Sequence, residues 1–166
     1  MDNCNGHGTA VAGLIIANAT NANASRPFVG VAPGATVYVY RVLSCQSATT
    51  EDVFLEGIAL AFAEGVDIIS LSLGRQVGWS EDPQTVITER LASKGVIIVA
   101  SAGNSGVDGL FNAARPGAGE NVISVGSVGN TVYVGWPSLA AQNRTIVHHC
   151  NNLLRDSITS QQILLH

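Results

Sequence analysis

The chain has 166 residues, a formal net charge of −4 and charged side chains at 12% of positions, about half the usual share for a soluble domain. Its single lysine, Lys94, and the lack of any basic block argue against nucleic acid as a partner. No apolar run reaches the length needed to span a bilayer, and a 46% hydrophobic content suffices for one core of ordinary size.

Taken in chain order, the first informative segment is Asn5 to Gly13, NGHGTAVAG. His7 stands between Gly6 and Gly8 at the start of an apolar helix pattern whose burying face is Ala10, Val11, Leu14 and Ile15. The partial positive charge at a helix N-terminus favours a neutral, basic imidazole, which suits proton transfer near pH 7. Standing alone, the same histidine reads as a turn cap. Asn18 to Ser25 and Cys45 to Thr50 are rich in turn-forming residues and read as loops.

Thr36 to Leu43 is a strand candidate. Glu51 to Glu64 is a helix with Leu55, Ile58, Ala59 and Phe62 on one face and Gly65 as its stop. Val66 to Leu73 follows as a buried strand, and its end, Ser70, Leu71, Ser72, Leu73 and Gly74, forms an edge able to pair with an extended peptide. Asp82 and Pro83 open a second helix with a capping side chain and a proline at its first position. Ile87 and Leu91 share its buried side, and Gly95 ends it. Val96 to Ser101 is again a buried-strand run, and Val122 to Val128 is one more. Asn104 stands at the exit of the former, where its amide could donate hydrogen bonds to an oxyanion; alone it reads as a turn residue.

Strand, helix and strand in alternation imply a mostly parallel sheet with right-handed crossovers and helices on both faces, a three-layer α/β/α architecture. Such strands finish along one edge, so a cleft is expected between Leu73–Gly74 and Ser101–Asn104. Beyond that core the composition changes. All 18 glycines lie at or before Gly135, and the segment from Ser138 to His166 shows no sustained period apart from short apolar runs at 146–147 and 163–165. A domain over 1–137 and an unassigned tail over 138–166 are therefore expected, the tail reading as unrelated sequence such as a frame change.

His148, His149 and Cys150 lack a second ligand pair at metal spacing and read as a solvated tail. Cys4, Cys45 and Cys150 are an odd set that defines no disulfide framework. Gly6, Gly8 and Gly13 only faintly match a dinucleotide fingerprint, which needs a preceding strand and a downstream acidic residue.

Four segments in order resemble the subtilisin-like serine endopeptidases: NGHGTAVAG the histidine motif, VGVAPGA at 29–35 the stretch after it, IISLSLG at 68–74 the strand lining the substrate cleft, and VASAGNSG at 99–106 the oxyanion motif. The resemblance runs from Asp2 to Val128. It implies a subtilisin-like fold, truncated at both ends, and a serine endopeptidase acting on polypeptide. His7 then matches the general base and Asn104 the oxyanion donor. Ser70, Leu71, Ser72, Leu73 and Gly74 match one substrate-holding edge, and Ala100, Ser101, Ala102 and Gly103 the other.

The family's histidine-orienting aspartate comes from an upstream strand that is not found ahead of Gly6, and Asp2 reads as a turn or surface residue. Its GTSMA-like nucleophile motif does not follow Val128; Ser138 in GWPSLAA is the nearest imitation. The triad acts as a unit, so the chain by itself is expected to be inactive, a non-catalytic remnant or weak peptide-binding module being the alternative. No cofactor is expected, and calcium, common in the family, has no assignable ligands. Partners should be polypeptide, with neither nucleic acid nor membrane. The family implies a secreted or vacuolar parent, although no secretory leader precedes Asp2. Incomplete sheets expose edges and apolar faces, so poor solubility is expected.

Overall fold

A computed structural model describes residues 4, 6–19, 28–77, 79, 81–128, 135–140, 144–149 and 163–165. The chain divides into two units, one of Met1–Gly126 with Ser160–His166 and one of Ser127–Thr159. The expected boundary at 137/138 falls inside the second unit, within a strand.

In the first unit the expected alternation is present. Helix α1 (His7–Ile16) leads to a short antiparallel pair, β1 (Asn18–Ala19) with β2 (Phe28–Val29), so the Asn18 end of the expected loop is strand. Strand β3 (Tyr38–Tyr40), helix α2 (Glu51–Ala63), strand β4 (Ile68–Leu71), helix α3 (Pro83–Ala92), strand β6 (Ile97–Ser101) and strand β8 (Ile123–Val125) follow, each shorter than its sequence pattern. Two further short strands, β5 (Arg75–Gln76) and β7 (Ala114–Arg115), pair antiparallel away from the main sheet.

The main sheet runs β3, β11 (Ile163–Leu165), β4, β6, β8. The β4–β6 and β6–β8 pairs are parallel, and β3 and β4 are each antiparallel to β11, so they run parallel to one another. The helices together with the parallel β4–β6–β8 set fit the expected mostly parallel, subtilisin-like three-layer α/β/α fold, of which the described residues supply the sheet and one packed helical layer.

Local chemistry explains both long helices. Asp82 caps α3: its Oδ1 accepts from the Gln84 backbone N–H at 2.9 Å and its Oδ2 from the Thr85 hydroxyl at 2.7 Å, with Pro83 as the first helical residue. Acidic Glu51 and Asp52 occupy the first turn of α2, where the helix dipole favours them. Gly65 (φ 74°) and Gly95 (φ 97°) take left-handed conformations just past the two helices, as their stop role requires.

The core sits between the sheet and α2 and α3, which contact each other and so share one face. Phe54, Ile58, Ile69, Leu71 and Ile98 are its fully buried side chains, each contributing about 1.5–3 kcal/mol of burial. The buried stripe of α2 is Phe54, Gly57, Ile58 and Ala61, not the expected Leu55, Ile58, Ala59 and Phe62. Both stripes fit a helical period, and of the two phenylalanines of the helix it is Phe54, not Phe62, that takes the sealed position. Phe62 turns outward, with the Lys94 ammonium 5.3 Å from its ring centroid. On α3, Leu91 is buried as expected, whereas Ile87 is only half-buried and Thr85 and Thr88 go inside. The Thr88 hydroxyl is satisfied by the carbonyls of Gln84 and Thr85, both at 2.9 Å.

Helix α1 departs furthest from expectation. Ala10 is exposed, Val11 and Ile15 are half-buried, and Leu14 is 59% exposed, so the expected burying face enters no core; Gly8 is the only buried residue of the helix.

The second unit contains an antiparallel hairpin, β9 (Gly135–Ala140) with β10 (Arg144–His149). The short apolar run at 146–147 belongs to β10, and the one at 163–165 is β11 of the first unit. The segment expected to be without strand period thus supplies three strands.

Candidate active-site rim

Because β3, β4, β6 and β8 run in one direction, the chain leaves each of them at a common edge, where parallel α/β sheets place ligands. Ser70 is paired with Val99 and Leu71 with Ala100, so the two predicted substrate edges are adjacent strands in register. Ser72, Leu73 and Gly74 continue from β4, and Ala102 and Gly103 from β6.

A third segment locks these exits together. The Ala102 N–H donates to the Val125 carbonyl at 2.8 Å, and the Ala114 N–H donates to the Ala102 carbonyl at 2.9 Å. Beyond Gly74, Gln76 pairs with Ala114 and Arg75 with Arg115. Two glycines permit this approach. A Cβ at Gly103 (φ 96°) would lie 2.8 Å from the Ala114 Cβ, and one at Gly74 would run into the Arg115 carbonyl oxygen.

Arg115 anchors the third segment from behind. Its Nη1 lies 2.9 Å from Asp82 Oδ1, and both side chains are buried. The carboxylate that caps α3 therefore also holds the strand that braces the rim. Nothing in the sequence pattern marked Arg115, because its partner is 33 positions away and only the fold joins them.

Asn104 follows in a bend at this exit and is exposed, leading into a 3-10 turn over Gly106–Asp108. Gln76 Nε2 donates to Asp108 Oδ2 at 3.4 Å, tying that turn to β5.

His7 opens α1, half-buried, after Gly6 in a left-handed conformation (φ 77°). Its tether is one that residue counting missed: Cys4 and Cys45 form a disulfide. Cys45 lies just beyond the outgoing end of β3, at the same edge as Gly74 and Gly103. Three residues of chain span at most about 11 Å, so the bond keeps the start of α1 near that loop. Arg41 lies alongside, its Nη2 3.0 Å from Cys4 Sγ and 3.3 Å from Cys45 Sγ. The available signal was a pair of cysteines, one three residues before His7 and one in a loop leaving a predicted strand.

An open concavity of about 520 Å³ lies beside this bond, lined by Arg41, Leu43, Ser44, Thr49, Thr50 and Val53 among others. At the strand end, the Tyr40 phenol is pushed above its ordinary pKa by burial and by the Glu64 carboxylate and Tyr38. Among the described residues no three His, Cys, Asp or Glu side chains cluster as they would to hold a metal ion. His148 and His149 are consecutive positions of β10, Ser138 lies in β9, and Cys150 and Asp2 fall outside the described residues.

Comparison with known proteins decides the family, since the sequence pattern described as "Subtilase family" matches residues 1–163. The chain belongs to the subtilase family. Subtilisin DY of Bacillus licheniformis is 37% identical over 127 residues, covering 75% of this chain and 43% of that protein. The major intracellular serine protease of Bacillus subtilis is 40% identical over 129 residues, 75% of this chain and 38% of the relative. The minor extracellular protease Vpr of the same species is 36% identical over 121 residues, 73% of this chain and 14% of the relative. This subtilase chain thus spans less than half the length of these relatives, which by their names include extracellular and intracellular proteases. None of its described helices is long and apolar enough to cross a membrane.

Proposed function

We propose that this subtilase chain carries the histidine and oxyanion portions of a serine endopeptidase site, with an extended polypeptide as ligand. The observation that carries the reading is the common edge. The exits of β4 and β6 are in register there, and the Cys4–Cys45 bond brings the start of α1 to it. His7 is the general base in this reading: it takes a proton from the nucleophile and returns it to the leaving amine. Asn104 donates from its amide to the oxyanion of the tetrahedral intermediate. Ser72 to Gly74 pair with the peptide backbone as an added strand, Ala100 to Gly103 wall the opposite side, and the concavity beside Arg41 has room for a further side chain of the bound peptide.

No GTSMA-like segment follows Val128 in these 166 residues, and in this reading they bind peptide by themselves without hydrolysing it. Its disulfide suits an oxidising compartment, which favours the secreted or vacuolar reading.

Two measurements test this. A fluorophosphonate probe should leave the chain unlabelled; labelling that disappears in His7→Ala would show an intact triad and overturn the claim of inactivity. A fluorescent extended peptide should bind the chain and its His7→Ala variant alike. Gly103→Ala, whose methyl meets Ala114, should weaken it about tenfold or more, equivalent to about 1.4 kcal/mol. Equal binding by Gly103→Ala would remove the rim as the binding edge.

A further inference from the structure

The bond that ties the start of α1 to the loop after β3 has a cation set against both of its sulfurs. Arg41 places Nη2 3.0 Å from Cys4 Sγ and 3.3 Å from Cys45 Sγ, while its Nε donates to the Leu43 carbonyl at 3.2 Å and so holds the guanidinium beside the pair. A disulfide offers that cation no charge to meet. The thiolate formed when the bond opens does, and a guanidinium at hydrogen-bonding distance stabilises it. Cys45 is an exposed loop residue and Cys4 is half-buried, so the Cys45 side is the more open to a molecule arriving from solution.

We propose that Cys4–Cys45 is a thiol-exchange site, opened and closed by a low-molecular-weight thiol such as glutathione, with Arg41 favouring the open form and His7 released by the opening. The attacking thiolate bonds to Cys45 Sγ, the bond between the two cysteines breaks, and its electron pair leaves on Cys4 Sγ, the sulfur nearer to Arg41. A second small thiol attacks the sulfur of the first and frees Cys45, so that the small-molecule disulfide departs and two electrons and two protons pass to the cysteine pair. Stabilising the leaving thiolate speeds the first step. Stabilising the reduced pair also shifts the equilibrium toward opening.

The consequence falls on one end of α1. Its last turns are held by the Val31 N–H on the Leu14 carbonyl at 3.0 Å and the Ala32 N–H on the Ile15 carbonyl at 2.8 Å, and the helix adds no side chain to the buried cluster. Its start follows Cys4, whose bond closes a loop across 41 positions. Opening that loop returns conformational freedom to this end, so the first turns loosen while the last stay docked, and His7 leaves the rim. The loss of a general base that follows rests on the role proposed above for His7, whereas the exchange at the two sulfurs does not.

The test uses the full chain with Cys150→Ser, so that no third thiol competes, and without peptide ligand, so that its outcome is separate from that of the binding measurements. Samples are equilibrated with mixtures of reduced and oxidised glutathione at about pH 8, quenched with acid, and their thiols counted by alkylation and mass. Half-reduction of Arg41→Gln should need a ratio of squared reduced to oxidised glutathione at least about fivefold higher than the parent does, whereas Arg41→Lys, which keeps a cation, should stay within about twofold. Equal midpoints for the parent and Arg41→Gln overturn the proposal, and so does a midpoint for Arg41→Lys that matches Arg41→Gln. The unsubstituted site gives a second reading: glutathione trapped early in the reaction should map to Cys45, and a first adduct on Cys4 overturns the proposal. Hydrogen exchange reads the helix. On reduction the amides of Ala10 to Gly13 should exchange at least about tenfold faster while those of Ile69–Leu71 and Ile98–Ala100 stay protected. Unchanged exchange in α1 overturns it as well.

Discussion

The two faces of the central sheet are written in nearly the same residues and have opposite fates. On β4 and β6, Ile69, Leu71 and Ile98 are at most 1% exposed beneath α2 and α3. Their immediate neighbours on the other face, Ile68 and Ile97, are 37% and 48% exposed, and Ile123 and Val125 of β8 are 54% and 51% exposed. In strands that are apolar on both faces, alternation does not show which face is sealed. What distinguishes the two is the cover: α2 and α3 supply Phe54, Ile58 and Leu91 to one face, whereas α1 contributes nothing to the buried cluster. Among the described residues this second face presents Ile68, Ile97, Ile123 and Val125, exposed apolar side chains of the kind that promote association.

Substitutions on either side break or sharpen this contrast. The largest effect is expected at the sealed side's polar anchor. Asp82→Ala removes the cap of α3 and leaves Arg115 buried without its counter-charge, and should lower unfolding free energy by about 3–5 kcal/mol in a denaturant titration. Loss below about 1 kcal/mol would mean that water reaches Arg115. Next comes a matched pair on one strand. Ile69→Ala should lower stability by about 2–5 kcal/mol, whereas Ile68→Ser should stay within about 0.5 kcal/mol of the parent and reduce self-association measured by light scattering. Equal losses at both positions would show that the second face is covered too.

The smallest effect is a pH dependence at the start of α2. The Asp52 carboxyl is held below its ordinary pKa by its hydrogen bond with the Thr50 side chain and by the backbone N–H groups of Val53 and Asp52. A lowered folded-state pKa means that the charged form binds the fold more strongly than the unfolded chain. Its stabilisation is therefore complete above the ordinary carboxylate range and fades as pH falls through that range toward the lowered value. Melting temperature followed from pH 6 to pH 2 should fall less steeply in Asp52→Asn than in the parent; parallel curves would remove this carboxylate from the account.

Much of the rim was legible residue by residue. The Asp82–Pro83 start, the Gly65 and Gly95 stops and the strand runs ending at Gly74 and Gly103 are local signals, each acting within a few residues. The order of the four motifs carried the family, which the match over residues 1–163 establishes. Other features were not legible because their causes are distant in sequence. Arg115 looks like any surface arginine until Asp82 lies beside it, and the stripe on α2 shifts to Phe54 because of what the sheet presents to it.

The sequence alone therefore determined the alternation of strands and helices, their caps and the common edge where His7, Gly74 and Asn104 are expected to act, since these follow from short-range backbone preference and apolar period. Tertiary structure alone decided the pairing of Cys4 with Cys45, the burial of one sheet face rather than the other, and the entry of residues 163–165 between β3 and β4. Each joins residues far apart in the chain, and free energy at such contacts depends on what folding brings within reach, which no local pattern encodes.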